Sequence, residues 1–348
     1  MQVVIPCAGR SSRYPWTRPK FLLTMPDGRL MFEWAAEKYI ANSVVNFVIT
    51  EEHAKEFDAE YALRRVYGDN PNVKITVLSD FTSGPAETVY LALKDSADTS
   101  VIIQDCDSFF DYNIKQDENF VCYIKLEEYP EIDYVASKGF IVINEEEDSL
   151  RNIVEKKVIS DTVCVGAYGF ASSQEFCNTF LKLKSLNASE EIFVSHIVKN
   201  MLMDQQIFVT KHATNYFDLG TYESYVKVRN SHATYFVDLD GVIFRNQSSH
   251  FTNNYSNDPT LIENAVGYFI KKQQHGATFI FTTSRPSQYS LITERALTNA
   301  GFKNFRVIYD LPHSPRVLVN DVSKTNPFPS ATAINTPRDS EEFWRSMS

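Results

Sequence analysis

The chain has 348 residues, 43% of them hydrophobic, and a formal net charge of −10. That length admits two domains, and the composition is ordinary for a folded globular protein. The acidic balance argues against a nucleic-acid binder, whose affinity comes mainly from basic surface, and the absence of a bilayer-length apolar run argues against a membrane span.

Gln2–Pro6 is apolar and rich in β-branched residues, which predicts a buried strand. It breaks into Ala8-Gly9-Arg10-Ser11-Ser12-Arg13, a small-residue turn carrying two arginines. Arg18 and Lys20 follow, on either side of Pro19, which holds the chain extended. A turn of little bulk lets backbone N–H groups approach phosphate oxygens, and flanking guanidinium and ammonium groups neutralise the phosphate charge. Four cations in so short a run of an acidic chain point to a polyanionic ligand. The alternative is a solvated basic loop after an edge strand.

Next come a helix over 30–42, a strand at Val44–Thr50, a helix over 52–67, a strand at Val73–Leu78, a helix over 86–94 and a strand at Val101–Gln104. Strands interleaved with helices predict an α/β fold with a parallel sheet covered on both faces, in which ligands collect at the carboxyl ends of strands. Val101–Gln104 ends in Asp105-Cys106-Asp107, so this turn and the basic loop should face one cleft. Residues 120–217 are richer in strands, at 134–143, 162–170 and 207–212. The composition changes near 230–233, a fresh strand starts at Thr234, and 337–348 reads as a polar tail anchored by Trp344. The five cysteines, Cys7, Cys106, Cys122, Cys164 and Cys177, lack metal-ligand spacing. Most lie in or beside apolar runs, which predicts buried reduced thiols; with no charged-then-apolar leader, a cytoplasmic protein is expected.

The stretch AGRSSRYPWTRPKFLL resembles the signature loop of the sugar-phosphate nucleotidyltransferases, with Gly9, Arg13, Pro19 and Lys20 on the pattern and Ser11 where a second glycine is usual. VIIQDCD resembles that family's strand ending in a metal-binding aspartate. Asp107 is the first candidate ligand for Mg2+, with Asp105 its competitor. Asp218-Leu219-Gly220-Thr221 resembles the late motif whose aspartate completes the metal site. Ser83-Gly84-Pro85-Ala86-Glu87-Thr88 is similar to the turn-into-helix that reads the base, Gly84 leaving room for the ring; as a bare sequence it is also a helix start, with Ser83 as cap and Pro85 in the first turn. Glu155-Lys156 resembles the motif whose lysine contacts the acceptor phosphate, and Lys157 could take that part. The resemblance covers residues 1–230. It implies binding of the triphosphate by Ala8, Gly9, Arg10, Ser11 and Ser12, base contacts from Gly84 and Glu87, and catalytic roles for Arg13, Lys20 and Lys156.

A second chemistry begins at Phe236-Val237-Asp238-Leu239-Asp240-Gly241, an apolar strand ending in two aspartates one residue apart. Where a strand ends, both carboxylates can converge on one ion. The first can attack phosphorus, and the second can protonate the leaving alcohol and then activate water. This resembles the first motif of the haloacid-dehalogenase-like phosphatases. A strand over 277–281 ending in Thr282-Thr283-Ser284-Arg285 is similar to their second motif, with Thr283 as the phosphate-binding hydroxyl. A strand over 317–319 ending in Asn320-Asp321 is similar to the fourth, which makes Asp321 a metal ligand beside Asp238 and Asp240. The third motif's lysine is open among Lys303, Arg316 and Lys324.

Together the resemblances imply an α/β protein with a Rossmann-like mixed-sheet nucleotidyltransferase domain (1–230) and a smaller haloacid-dehalogenase-like α/β domain without a large cap (231–348). The implied activity is Mg2+-dependent transfer of a nucleotidyl group from an NTP, CTP favoured, to a sugar or polyol phosphate. A phosphatase would act on the same pathway, in capsule or surface polysaccharide precursor synthesis. Two alternatives remain open: phosphatase as the main activity beside a nucleotide-binding domain, and a nucleotide sensor without turnover.

Overall fold

The computed structural model describes residues 1–347 apart from 15–16, 116, 133, 187–190, 249, 252 and 322–329. The chain divides into two compact units, Met1–Tyr225 and Val226–Ser348. In the first, chain order runs β1 (Gln2–Pro6), α1 (Met31–Ala36), β2 (Val44–Thr50), α2 (Glu51–Phe57), α3 (Ala59–Tyr67), β3 (Val73–Leu78), α4 (Pro85–Leu93), β4 (Val101–Gln104), β5 (Ser108–Asp111) and β6 (Phe120–Lys125). It continues with β7 (Gly139–Asn144), β8 (Ser149–Glu155), β9 (Thr162–Phe170), α5 (Ser173–Leu186), α6 (Val194–Met203), β10 (Val209–His212) and β11 (Thr214–Asp218), and α7 (Tyr222–Ser231) carries the chain across the boundary.

The main sheet has the order β3-β2-β1-β4-β9-β6-β10-β8-β7. Strands β3, β2, β1 and β4 are parallel, as the alternation of strand and helix predicts. β9 then enters antiparallel to β4 and β6, so the sheet is mixed. All nine residues of β9 are buried, as befits a strand covered on both faces. The apolar run of β1 also forms core: Val3, Val4 and Ile5 are wholly buried, each contributing about 1.5–3 kcal/mol of transfer free energy.

Two pairings position the site. β1 and β4 are neighbours, Val4 opposite Ile103, so the segments leaving their carboxyl ends start side by side. β5 and β11 form a separate ribbon in which Asp218 faces Ser108, and the Leu219 N–H donates to the Asp107 carbonyl at 2.7 Å.

Three local expectations are corrected here. The helix expected over 30–42 stops at Ala36, and 37–42 continues as tighter turns in which Tyr39 N–H donates to Ala36 and Asn42 N–H to Tyr39. The helix expected over 52–67 is two helices, because Asp58 adopts a left-handed conformation (φ 52°) that ends α2 and starts α3. The strand expected at 134–143 begins only at Gly139, after a one-turn helix at Val135–Ser137.

The second unit has three parallel strands among its described residues, β12 (Thr234–Asp238), β13 (Thr278–Thr282) and β14 (Arg306–Ile308), in that order. Helices α8 (Glu263–Gln274), α9 (Ser290–Asn299) and α10 (Glu341–Met347) complete it. The strand expected at 317–319 does not form: Val317 and Val319 are 80% and 90% exposed. A turn precedes it, held by Arg316 Nη1 donating to the carbonyls of Pro312 (2.9 Å) and Ser314 (2.7 Å), and the apolar run is left without a ladder among the described residues. The tail expected at 337–348 is anchored by Trp344 as expected, and its last turns are helical. Residues 341–347 are helical, Trp344 is buried against Tyr268 and Phe269, and Glu341 accepts the N–H groups of Glu263 and Asn264 at the start of α8. No helix among the described residues is long and apolar enough to cross a membrane.

Candidate active site

The loop after β1 is shaped by Ser11. Its φ of 49° lies in the left-handed region that favours glycine, at the position where the resembling family has one. The serine keeps the conformation and adds a bond, its Oγ accepting the Lys20 N–H at 3.1 Å. The turn closes through Tyr14 N–H to the Ser11 carbonyl at 2.8 Å. Buried Tyr14 donates its hydroxyl to the Leu219 carbonyl, and the Tyr222 N–H donates to the Arg13 carbonyl, which ties the loop to the start of α7. Arg10 lies 4.1 Å over the Phe81 ring, while Gly9 and Ser12 line an open stretch of the loop beside buried Ala8.

Where these segments meet, the structure brings Lys20 onto Asp107 and Lys138 onto Asp218 in two ion pairs, all four side chains largely enclosed. Arg13 joins them: its guanidinium and the Asp218 carboxylate both come within 3.4 Å of the empty Cβ position of Gly220. Burial alone would raise the Asp107 pKa, but Lys20, with Arg13 and Lys138, outweighs it and holds the carboxyl below its usual range. Burial likewise opposes the charge on Lys20, and Asp107 and Cys106 more than offset it. Asp105 faces the other way. Burial first, then Asp107, push its pKa up to about 7, and its carboxylate is packed under Gly166. Of the two aspartates the spacing could not separate, Asp107 is the one that faces the cations.

Sequence reasoning missed Lys138. It precedes Gly139 at the start of β7, and nothing local marks it; its partner Asp218 lies 80 residues further along the chain. Lys156 is placed differently from Lys138: half exposed, with Nζ 3.9 Å from Glu191 and 4.2 Å over the Phe193 ring. Glu155 turns inward, accepting the Ser195 hydroxyl at 2.7 Å. At the turn into α4, Pro85 is in the first turn as expected, and Gly84, not Ser83, is the residue before it. A Cβ on Gly84 would meet the Ile192 carbonyl at 2.9 Å, so backbone takes the room this glycine leaves. Glu87 accepts the Ser83 N–H at 2.6 Å.

In the second unit Asp238 ends β12 and Asp240 follows it, with Gly241 at φ 96°. Asp240 accepts from Arg285 through Nε (3.0 Å) and Nη2 (2.8 Å) and from the Thr283 hydroxyl at 3.1 Å. Thr283 and Arg285 are both buried. Arg285, two residues after the expected Thr283, was given no part; a cation in the turn that follows an apolar strand was its signal. Enclosure, then Asp240, raise the Asp238 pKa, while Arg316 and Arg338 pull it the other way. Asp321 is exposed on the irregular segment after Val319. Of the third-motif candidates, Lys324 lies outside the described residues.

The donor set in the first unit suits Mg2+. Two carboxylates, already seating cations, leave the remaining coordination to phosphate oxygens and water, the usual habit of that ion. Among the described residues no group of three or more His, Cys, Asp or Glu side chains is poised as a complete ligand set. All five cysteines are free and buried.

No family model matches the chain, and no curated protein matches it. Solved structures do. A nucleoside-diphosphate-sugar pyrophosphorylase from Vibrio cholerae aligns with a TM-score of 0.55 at 18% identity, over 66% of this chain and all of that one. A putative glucose-1-phosphate thymidylyltransferase from Bacillus anthracis gives 0.53 at 18% identity, over 66% of this chain and 94% of its own. An inositol-1-phosphate CTP transferase from T. maritima gives 0.52 at 13% identity, over 64% and 90%. What the chain shares with these proteins, over about two thirds of its length, is the mixed α/β fold of sugar-phosphate nucleotidyltransferases.

Proposed function

We propose that the first unit transfers a nucleotidyl group from an NTP to a sugar or polyol phosphate, releasing pyrophosphate. The observation that carries this reading is the meeting of the small-residue loop, Arg13 and Lys20 with Asp107 and Asp218 on a nucleotidyltransferase fold. An acceptor phosphate oxygen attacks the α-phosphorus in line. The new P–O bond forms as the bond to the bridging oxygen breaks, and pyrophosphate leaves with that electron pair. The acceptor phosphate is already ionised near neutral pH, so this chain supplies no base. Its work is to hold both phosphates in line and balance their charge. Arg13, Lys20 and the loop N–H groups bind the triphosphate. Asp107 and Asp218 would hold Mg2+, which supplies charge neutralisation between the two phosphates. CTP is the favoured nucleotide, on the resemblance of IPCAGRSSR and the Asp-Cys-Asp turn to small capsule-pathway cytidylyltransferases, and surface polysaccharide precursors are the favoured products.

For the second unit the reading is a Mg2+-dependent phosphomonoesterase with Asp238 as nucleophile. Support comes from the Asp238-x-Asp240-Gly241 turn at the end of a parallel strand and from Arg285 and Thr283, which fix Asp240. Incubating the protein with each of four NTPs and a panel of sugar and polyol phosphates, with mass analysis of the products, tests both activities. Neither a nucleoside-diphosphate product nor pyrophosphate from any pair would overturn the first reading. Asp238→Asn that still releases phosphate at the wild-type rate would overturn the second.

A further inference from the structure

We propose that Lys138 is the residue that binds the acceptor's phosphate at the transfer centre, in the place the sequence resemblance gives to Lys156. The proposal rests on the nucleotidyl-transfer reading of the first unit. Its basis is the divergence of two lysines that begin side by side. Gly139 and Glu155 are cross-strand partners, and one step further the Lys156 N–H donates to the Lys138 carbonyl at 3.0 Å. Residues so paired ordinarily project to one face. Here Lys156 adopts a left-handed conformation (φ 55°), the pleat is broken, and its ammonium goes to Glu191 and the Phe193 ring, half exposed. Lys138 keeps an extended backbone (φ −92°, ψ 161°), and its ammonium enters the carboxylate centre, where it pairs with Asp218.

Chemistry then divides the labour. Lys20 arrives from the loop that receives the triphosphate and pairs with Asp107, whereas Lys138 arrives from the start of β7 and pairs with Asp218. An acceptor phosphate in line with the α-phosphorus brings its own negative charge to that side. The mobile ammonium of Lys138, a point charge with three donors, can leave Asp218 for it. Lys138 keeps its proton throughout; only the P–O bonds of transfer form and break. Gly139, beside it, packs close to Glu155, whose Oε2 lies 3.1 Å from the Cβ position.

The test compares Lys138→Met, Lys138→Arg and Lys156→Met with wild type. The acceptor is whichever of glucose 1-phosphate, inositol 1-phosphate and glycerol 3-phosphate the wild-type protein converts. Acceptor KM and kcat are measured at saturating NTP. Calorimetric binding of that acceptor and, separately, of the NTP in the absence of acceptor provides a readout apart from turnover. Lys138→Met should raise acceptor KM and Kd by about 10- to 100-fold, the loss of one charge-assisted hydrogen bond, with a much smaller change in NTP binding. Lys138→Arg should recover part of the loss, which a purely structural role would not predict. Lys156→Met should have the smaller effect of the two on KM. A larger KM effect from Lys156→Met, or equal loss of NTP and acceptor binding in Lys138→Met, overturns the assignment while leaving the transfer reading standing. A wild-type protein that converts no NTP with any acceptor overturns both.

Discussion

Gly166 and Asp105 share one space. A Cβ on Gly166 would lie 2.3 Å from Asp105 Oδ2, and the two backbones are joined by the Asp105 N–H to the Gly166 carbonyl at 2.8 Å. Gly166 also has φ 83°, which a larger residue adopts only under strain. Gly166→Ala is therefore expected to cost about 1–3 kcal/mol through overlap, with the backbone term added to it. Denaturant midpoints check this, and a variant as stable as wild type would show that Asp105 can move aside.

Lys20 and the two candidate metal carboxylates give a ranking. Lys20→Ala should lower pyrophosphate release by about 100- to 1000-fold, the effect of losing one preorganised donor, without loss of fold. Asp107→Asn and Asp218→Asn should raise the Mg2+ concentration needed for half activity, and Asp105→Asn should do so less, because its carboxyl is packed against Gly166. Titrating activity with Mg2+ for the three variants decides it; Asp105→Asn as the most damaging would move the ligand two residues upstream.

His53 supplies a pH dependence of stability. It is buried between the rings of Phe21 (5.4 Å) and Phe81 (5.3 Å), and burial lowers its pKa to about 4. The folded state thus binds fewer protons than the unfolded chain between about pH 4 and the unfolded value near 6.5. Stability is fully present above that value and falls as pH drops through the window, by up to about 3 kcal/mol. Urea unfolding at pH 4.5, 5.5 and 7 should show this slope in wild type and a shallower one in His53→Leu.

Arg285 carries most of the electrostatic risk in the second unit. Only 1% of its side chain is exposed, against 18% for Asp240. Removing one partner of such a pair typically costs about 3–5 kcal/mol, because a carboxylate is left enclosed without its counter-charge. Arg285→Met should lower the unfolding temperature of that unit accordingly, and adding Asp240→Asn should recover part of the loss. Calorimetry of the single and double variants measures the coupling.

The strand-and-turn motifs were legible because each is contiguous and ends an apolar run: the loop after β1, the Asp105–Asp107 turn, and Asp238 to Gly241 all lie where their spacing places them. Lys138 was not legible, since its partner Asp218 lies 80 residues further along the chain rather than among its neighbours. Asp58 concealed a helix break, because the flanking apolar spacing stays helical while one residue turns left-handed. At 317–319 the local pattern was that of a strand, but a strand needs a partner. In α10, by contrast, the apolar anchors Trp344 and Phe343 pack a segment whose composition reads as polar onto the core.

The central place of β9 sets a timetable for synthesis. β4 is bordered on one side by β1 and on the other by β9, and β9 ends at Phe170. As the chain leaves the ribosome, β1 to β4 can pair while β4 still presents a bare edge of N–H and carbonyl groups. That edge stays open to other chains until residues 162–170 emerge. Slowed translation between β4 and β9 would therefore prolong the period of greatest aggregation hazard, and a chaperone that covers exposed strands would be most useful during that interval.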